Sequence, residues 1–410
     1  MKRIRCTAFI ASALILSACS EQYEPATVDV QVDKTQLAFD HQTMDVSGFS
    51  SYLELKVYTD VSLATHKAQE LDAKLSALLY STNDKTLTEA RIAWRAAYDA
   101  YLSALIYSRL PINDPPEWLK KGISQRQTLA FIDSWPIEGG YIDYVDGYPF
   151  SGIVNDLALP LTADNLIDQH GFADVTYVSL GFHALEFMLW GEDGNRSPKD
   201  FLAQDNTASA VINDRLVQAS DSTEATMKPS TAIQNHHRRR QYVQLVSDLL
   251  QKHLLRLQSR WEPSSGYYAS VLQRSQPEQV LRASFIATQD LISDELLNKR
   301  LVGNSSEFSD TSWADITAII NGIRQLYLPN QDSDFGTGGL ESLLYGNKHN
   351  IIAEWEQLFA AIDDSITQWQ ESDNTDDIAA RQQCRQHLID LLSLLKNTTS
   401  LLDIQLPAID

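Results

Sequence analysis

Between Val175 and Gly191 the chain reads Val-Thr-Tyr-Val-Ser-Leu-Gly-Phe-His-Ala-Leu-Glu-Phe-Met-Leu-Trp-Gly, with His183 as its only base and Glu186 as its only acid. The spacing predicts a helix that Asp174 caps and Gly191 ends. Apolar residues cover nearly its whole circumference, so it has to be buried by other elements on every side. His183 and Glu186 are three residues apart and lie on one face, a turn from each other. Ionised groups are costly to bury alone. Their partner is therefore a cation, a metal ion or polar groups from another element; the plainest alternative is a core histidine bonded to its helical neighbour. Gly181, two residues ahead of His183, lets a backbone or a ligand come close.

Around this run the spacing is helical and strand-like alternation is scarce, which gives an all-α class. Apolar residues recur at helical intervals over Leu53 to Leu79, from Thr88 to Tyr101, after His236, over Ile351 to Gln370 and over Ile378 to Leu402. The aromatic rows of the second helix, Trp94, Tyr98 and Tyr101 among them, read as core packing. The basic run His236 to Arg240 reads as a solvated helix start. The polar stretch Gln204 to Gln234, with Pro229, is the best linker. A chain of this length exceeds one typical core, so two domains are expected, 46–225 and 230–410.

A second segment, Gly336-Thr-Gly-Gly-Leu-Glu-Ser-Leu-Leu-Tyr-Gly346, aligns without a gap to Gly181–Gly191, keeping Glu341 and placing Gly338 where the histidine stands. Phe150-Ser151 finds Phe308-Ser309 at nearly the same separation. The expectation is two tandem four-helix-bundle-like domains related by internal duplication. Between the second helix and the His183 run, Trp135 to Pro149 is rich in turn formers, aromatics and acids, and long ordered loops are often functional. Glu138 and Asp143 there are candidate oxygen ligands.

Residues 1–18 read as a leader: Lys2, Arg3 and Arg5 precede a short apolar stretch from Ala8 to Leu16. Leu16-Ser17-Ala18-Cys19 resembles a bacterial lipobox, in which Cys19 carries the lipid, and Ser20 after it favours the outer membrane. Residues 19–45 then form a tether, and the protein is expected to be lipid-anchored on the periplasmic side. Losing the leader's three basic residues takes the formal charge from -21 to -24. So acidic a chain repels nucleic acid, and its field favours cations. With Cys6 in the leader and Cys19 lipidated, Cys384 is left alone, which excludes a disulfide framework and cysteine-based metal sites.

Gly181-Phe-His183-Ala-Leu-Glu186 resembles the GxHxxE signature of the imelysin-like proteins, also classed as peptidase M75. The Trp94-Arg95-Ala-Ala-Tyr98 pattern, the segment Asp294 to Arg300 and the stretch Glu307 to Ile316, which holds Ser309 and Asp310, are similar to the same family. The resemblance covers nearly all of residues 45 to 405. It implies two packed helical bundles with the motif near their junction, a divalent metal site at His183 and Glu186, and a part in iron acquisition. Gly181, Arg300, Ser309, Asp310 and Glu341 join Glu138 and Asp143 as candidate site residues.

Proteolysis has only the family's label behind it. No histidine is followed by Glu, so the His-Glu-x-x-His zinc motif is missing, and there is no Gly-x-Ser-x-Gly elbow. Metal binding asks less, since helical bundles build iron and manganese sites from Glu and His on facing helices. The first expectation is thus a divalent ion, iron before zinc, with an iron-transport protein as partner. Carbohydrate or peptide binding in the interdomain cleft is the third class.

Overall fold

The computed structural model describes residues 45–119, 122–203, 235–329, 338–344, 349–372 and 377–408. The leader, Cys19, nearly all of the tether, the Gln204–Gln234 linker and Gly336 lie outside them. Among the described residues every regular element is helical, apart from one isolated bridge between Val145 and Tyr148.

Two helices organise the rest. Helix α1, Val46–Tyr80, starts where Asp45 accepts a hydrogen bond from the Gly48 N–H. Helix α2, Asp84–Ser103, starts with a reciprocal capping box between Asn83 and Thr86, which satisfies two otherwise orphaned backbone donors. The two pack along each other, and each runs through both halves of the protein. The first turns of α1 meet the C-terminal helices, where Tyr52 donates to the Gln325 carbonyl at 2.6 Å and Phe49 stacks on Tyr327. Its last turns meet α7, His236–Arg260, where Ser247 donates to Asp72 and Arg240 to the Leu79 carbonyl. Similarly, α2 touches α6, Phe182–Trp190, and α10, Ser312–Tyr327. Gly322 lies so close to α2 that a Cβ there would sit 2.1 Å from the Ser103 carbonyl oxygen. The sequence division near 225–230 separates the helices in order, while α1 and α2 supply core to both sides.

Short helices fill the space between: α3, Gln125–Ile132, α4, Gly139–Ile142, and α5, Ala163–Gln169, lie before α6. After α7 come α8, Tyr267–Arg274, and α9, Pro277–Asp290, with Pro277 at the first helical position, where a missing N–H costs nothing. Leu291–Arg300 continues α9 as a π-helix. Its i→i+5 bonding puts residues five apart over each other, which sets up the Glu295–Arg300 pair described below. The chain closes with α11, Leu340–Leu343, α12, His349–Glu371, and α13, Asp377–Leu401, the last two packed as a hairpin.

Two sequence expectations change. The helix expected from Val175 begins only at Phe182, and Asp174 instead receives the Thr176 N–H in a local turn. The reason is Gly181: its φ of +90° breaks the helix, and a Cβ would lie 2.4 Å from the Ile132 carbonyl oxygen. The basic start of α7 is not solvated. Arg238 and Arg239 are buried, Arg238 donating to the carbonyls of Ile153, Val154, Asp156 and Leu159, and Arg239 to Asp143. Basic groups at a helix N-terminus oppose its dipole, and here the loop's carbonyls and Asp143 outweigh that cost. Cys384 is buried and free, as expected of an ordinary helical residue.

Candidate functional site

His183 and Glu186 are each 1% exposed, on the face of α6 that meets the middle of the molecule. The imidazole stands between two carboxylates. Its Nδ1 is 2.7 Å from Glu186 Oε2, and its Nε2 is 3.2 Å from Asp133 Oδ1 and 2.9 Å from the Tyr98 hydroxyl. Asp133 ends α3, whose backbone Gly181 allows α6 to approach; Tyr98 comes from the C-terminal part of α2. Burial works against a charged imidazole, but the bonds to Asp133 and Glu186 outweigh it and push His183 up to about 9. At neutral pH it is therefore an imidazolium donating from both nitrogens.

The network continues into the C-terminal half. Arg300, fully buried, donates to the Tyr98 hydroxyl at 2.9 Å, to Asp133 Oδ2 at 3.0 Å and to Glu295 Oε1 at 2.8 Å. Burial alone would raise the Asp133 carboxyl, yet Arg300 and His183 bring it down to about 2. Asp315, near the start of α10, takes Arg95 at 2.7 Å and the hydroxyls of Ser305 and Ser306. Glu186 Oε1 is held by the Ser309 N–H at 2.9 Å and its hydroxyl at 2.6 Å. Residues from α2, α3, α6, the π-helix and the loop before α10 thus form one buried set of charges that joins both halves. A cavity of about 980 Å³ has Asp133 and Glu295 in its wall.

Of the residues expected at the site, Gly181, His183, Glu186, Arg300 and Ser309 come together here. The others do not. Asp143 is fully buried elsewhere, held by Arg196 at 2.8 Å and Arg239 at 2.6 Å; burial would raise its carboxyl, but the two guanidiniums hold it at about 2. It forms a structural ion pair, and not the oxygen ligand beside His183 that was expected. Asp310 is exposed, in a left-handed turn with φ of +54° that aims Ser309 at Glu186. Glu341 is exposed on the four-residue α11. Glu138 is exposed ahead of α4; burial, and after it the charges of Glu186 and Glu138, raise the Glu307 carboxyl.

Sequence reasoning missed Asp133, Glu295 and Asp315 and took Tyr98 for plain packing. The one signal for Asp133 was a lone acid directly after the apolar end of α3. Glu295 and Asp315 fell inside family-like segments but were not singled out, because their partners lie far away in the chain.

With the imidazole protonated, these side chains offer a metal ion no free donor atom. Both imidazole nitrogens and both Glu186 oxygens have protein partners, and Arg300 with the imidazole proton already supplies the positive charge. Among the described residues no three His, Cys, Asp or Glu side chains converge as a metal site. Glu186 and Asp133 face opposite nitrogens of one ring, so the expected direct pairing of His183 and Glu186 on a single ion is not what the geometry offers.

The sequence profile of the family described as imelysin, peptidase M75, matches residues 55–399. This chain belongs to the imelysin family. The expected GxHxxE helix is the one that carries His183 and Glu186, and the all-α fold expected from the family is the fold observed. A search of curated proteins gave no match. Among solved structures, the chain resembles an iron-regulated protein A precursor from Parabacteroides distasonis, with a TM-score of 0.53 and 13% identity over 89% of this chain and 98% of that one. At that identity the likeness speaks for the fold alone.

Proposed function

We propose that this imelysin-family chain serves iron handling and takes a divalent metal ion, iron before zinc, as cargo at the imidazole of His183. One observation carries the reading: Nδ1 is fixed by the Glu186 carboxylate while Nε2 faces Asp133 and the Tyr98 phenol. Metal-binding histidines regularly donate their second ring N–H to a carboxylate, which sets the tautomer and the ring's direction. Glu186 then orients His183, and the ion replaces the proton between Nε2 and Asp133. The family membership and the iron-regulated name of the similar structure support the iron part.

Loading on this reading has a definite cost. The ion must displace the imidazole proton and loosen Asp133 from Arg300, so uptake releases a proton and is favoured as pH rises. The cavity beside Asp133 gives a way in, and the exposed acids Glu138 and Glu307 add attraction for a cation. The rest of the proposal follows the sequence: export behind the leader, a lipid on Cys19, residence at the outer membrane facing the periplasm, and hand-over to an iron-transport partner. An internal duplication belongs to it too, resting on the alignment of Gly336–Gly346 with Gly181–Gly191. The test is metal analysis of the purified mature protein equilibrated anaerobically with micromolar iron(II) at pH 8. One ion per chain, lost in Asp133→Asn and His183→Gln while the fold survives, supports the reading; metal-free wild type refutes it.

A further inference from the structure

Three cations on the last turns of α7 stand without acidic partners. Lys252 is exposed, Arg256 and Arg260 are half-buried, and their spacing of four brings them to one flank of the helix. Arg256 donates to His253 Nδ1 at 3.0 Å and Arg260 to the Ile123 carbonyl at 2.6 Å. None of the three makes an ion pair among the described residues. Burial and the charge of Arg260 lower Arg256. Burial and the charges of Arg256 and Lys252 bring the buried His253 down to about 4. A helix C-terminus favours cations, which accounts for Arg260 in the last turn and leaves Lys252, two turns earlier, without a reason. In a chain with 54 acidic and 33 basic residues, a run of unpaired like charges stands out.

Apolar side chains border these cations on both sides. Gln258 donates to the Ser62 hydroxyl at 3.0 Å, which lays this end of α7 along α1; there Leu255 is 47% exposed and Leu63 48%. On the other flank a Cβ on Gly122 would lie 4.0 Å from Arg256 Nε, so the loop before α3 passes beside Arg256. Just ahead in that loop Trp118 is 62% exposed and Leu119 39%. The acids next to the face in sequence are Glu117 and Asp248, two against three cations. Asp114 is taken by the Tyr268 hydroxyl and the Gln125 N–H. Single exposed leucines are ordinary, but a Trp and leucines set around unpaired cations have the composition of a membrane-surface contact.

We infer that this face of α7 docks on an anionic phospholipid surface, with Lys252, Arg256 and Arg260 at the headgroup phosphates and the bordering apolar side chains at the edge of the acyl layer. Charge complementarity decides the occupant, since a neutral surface would leave the three cations unanswered. The formal charge of -21 opposes an anionic surface at long range. Charges more than about 8 Å away are screened at physiological salt, so the local face prevails. The geometry of the chain allows the contact: the stretch from Cys19 to Asp45 reaches at most about 85 Å, and Leu63 lies about 27 Å along α1 from Asp45. The inference goes beyond the iron reading and does not rest on it, and the face is tested without the lipid at Cys19.

The assay is co-sedimentation of the mature chain, made without its leader and so without lipid, with vesicles in excess EDTA. One set holds one third phosphatidylglycerol in phosphatidylcholine, the other phosphatidylcholine alone. The expected result is binding to the anionic vesicles at least about tenfold tighter than to the neutral ones, weakening as salt rises from 50 to 300 mM. Each cation near an anionic surface is worth about fivefold. Lys252→Gln alone, at an exposed position, should therefore weaken binding about fivefold. The triple variant Lys252→Gln, Arg256→Gln, Arg260→Gln, shown to be folded by circular dichroism and urea midpoint, should weaken it about a hundredfold. Removing the same charge elsewhere, with Lys74→Gln, Lys85→Gln and Lys396→Gln, should leave it unchanged. No binding to anionic vesicles at millimolar lipid overturns the inference, as does equal binding to neutral ones or an equal loss in both triple variants. Binding of polyglutamate without vesicle binding would give the face to an acidic partner protein and overturn it too.

Discussion

Removing the charge of His183 should abolish a particular pH dependence of stability. In the unfolded chain an imidazole titrates near 6.5, and in the folded protein His183 titrates near 9. The folded value is the higher one, so its contribution is fully present below pH 6.5 and is lost as pH rises through about 9. At about 1.4 kcal/mol for each unit between the two values, the contribution is about 3 kcal/mol at pH 6, about 2 at pH 7.5 and close to nothing at pH 10. Asp133 is the other side of the same interaction and is not counted again. The assay is urea unfolding of wild type and His183→Gln from pH 6 to pH 10. Wild type should lose about 3 kcal/mol across that range in excess of any loss in the variant. At pH 6 the variant should be the less stable by about 3–5 kcal/mol, because Glu186 and Asp133 are left buried without their cation. Parallel pH profiles for the two proteins would refute an imidazolium at this position.

Three further outcomes follow from the packing. Gly181→Ala should cost at least about 3 kcal/mol, since it combines φ of +90° with a Cβ 2.4 Å from the Ile132 carbonyl oxygen; a melting temperature within 2 °C of wild type would contradict this. Ser309→Ala removes the 2.6 Å hydroxyl bond to Glu186 but keeps the backbone one, for a loss of about 2 kcal/mol in urea unfolding. A loss below about 0.5 kcal/mol would mean the hydroxyl does not hold Glu186. Asp143 titrates near 2 when folded and near 3.8 when unfolded, so its contribution of about 2 kcal/mol is present above pH 3.8 and fades as pH falls through about 2. Asp143→Asn should therefore lower stability at pH 7 and flatten the acid limb of the profile; an unchanged acid limb would sink that assignment.

The fold class and the main helices were legible because burial of an apolar stripe imposes a helical period over 20 or more residues, as in α1, α2, α7, α12 and α13. The start of α6 was not, because the reason for it is the Ile132 carbonyl pressing on Gly181, a contact that spacing along the chain does not encode. The same limit applies at the site. His183 and Glu186 stood out as two polar groups in an apolar helix, and the need for partners was correctly read from that. Which partners they have depended on tertiary approach: Asp133 and Tyr98 across the bundle, Ser309 from the loop before α10. Arg238 and Arg239 show the opposite error. A basic run looks solvated from sequence, but here it is buried to satisfy loop carbonyls and Asp143.

Proton release on metal uptake tests the central claim most directly. Calorimetric titration of iron(II) into the mature protein, run anaerobically at pH 7 in two buffers of different ionisation enthalpy, counts the protons lost per ion. If the ion replaces the proton on His183 Nε2, about one proton leaves per iron, and affinity rises about a hundredfold between pH 6.5 and pH 9. Iron that binds without releasing a proton, or an affinity flat across that range, would place the ion away from His183.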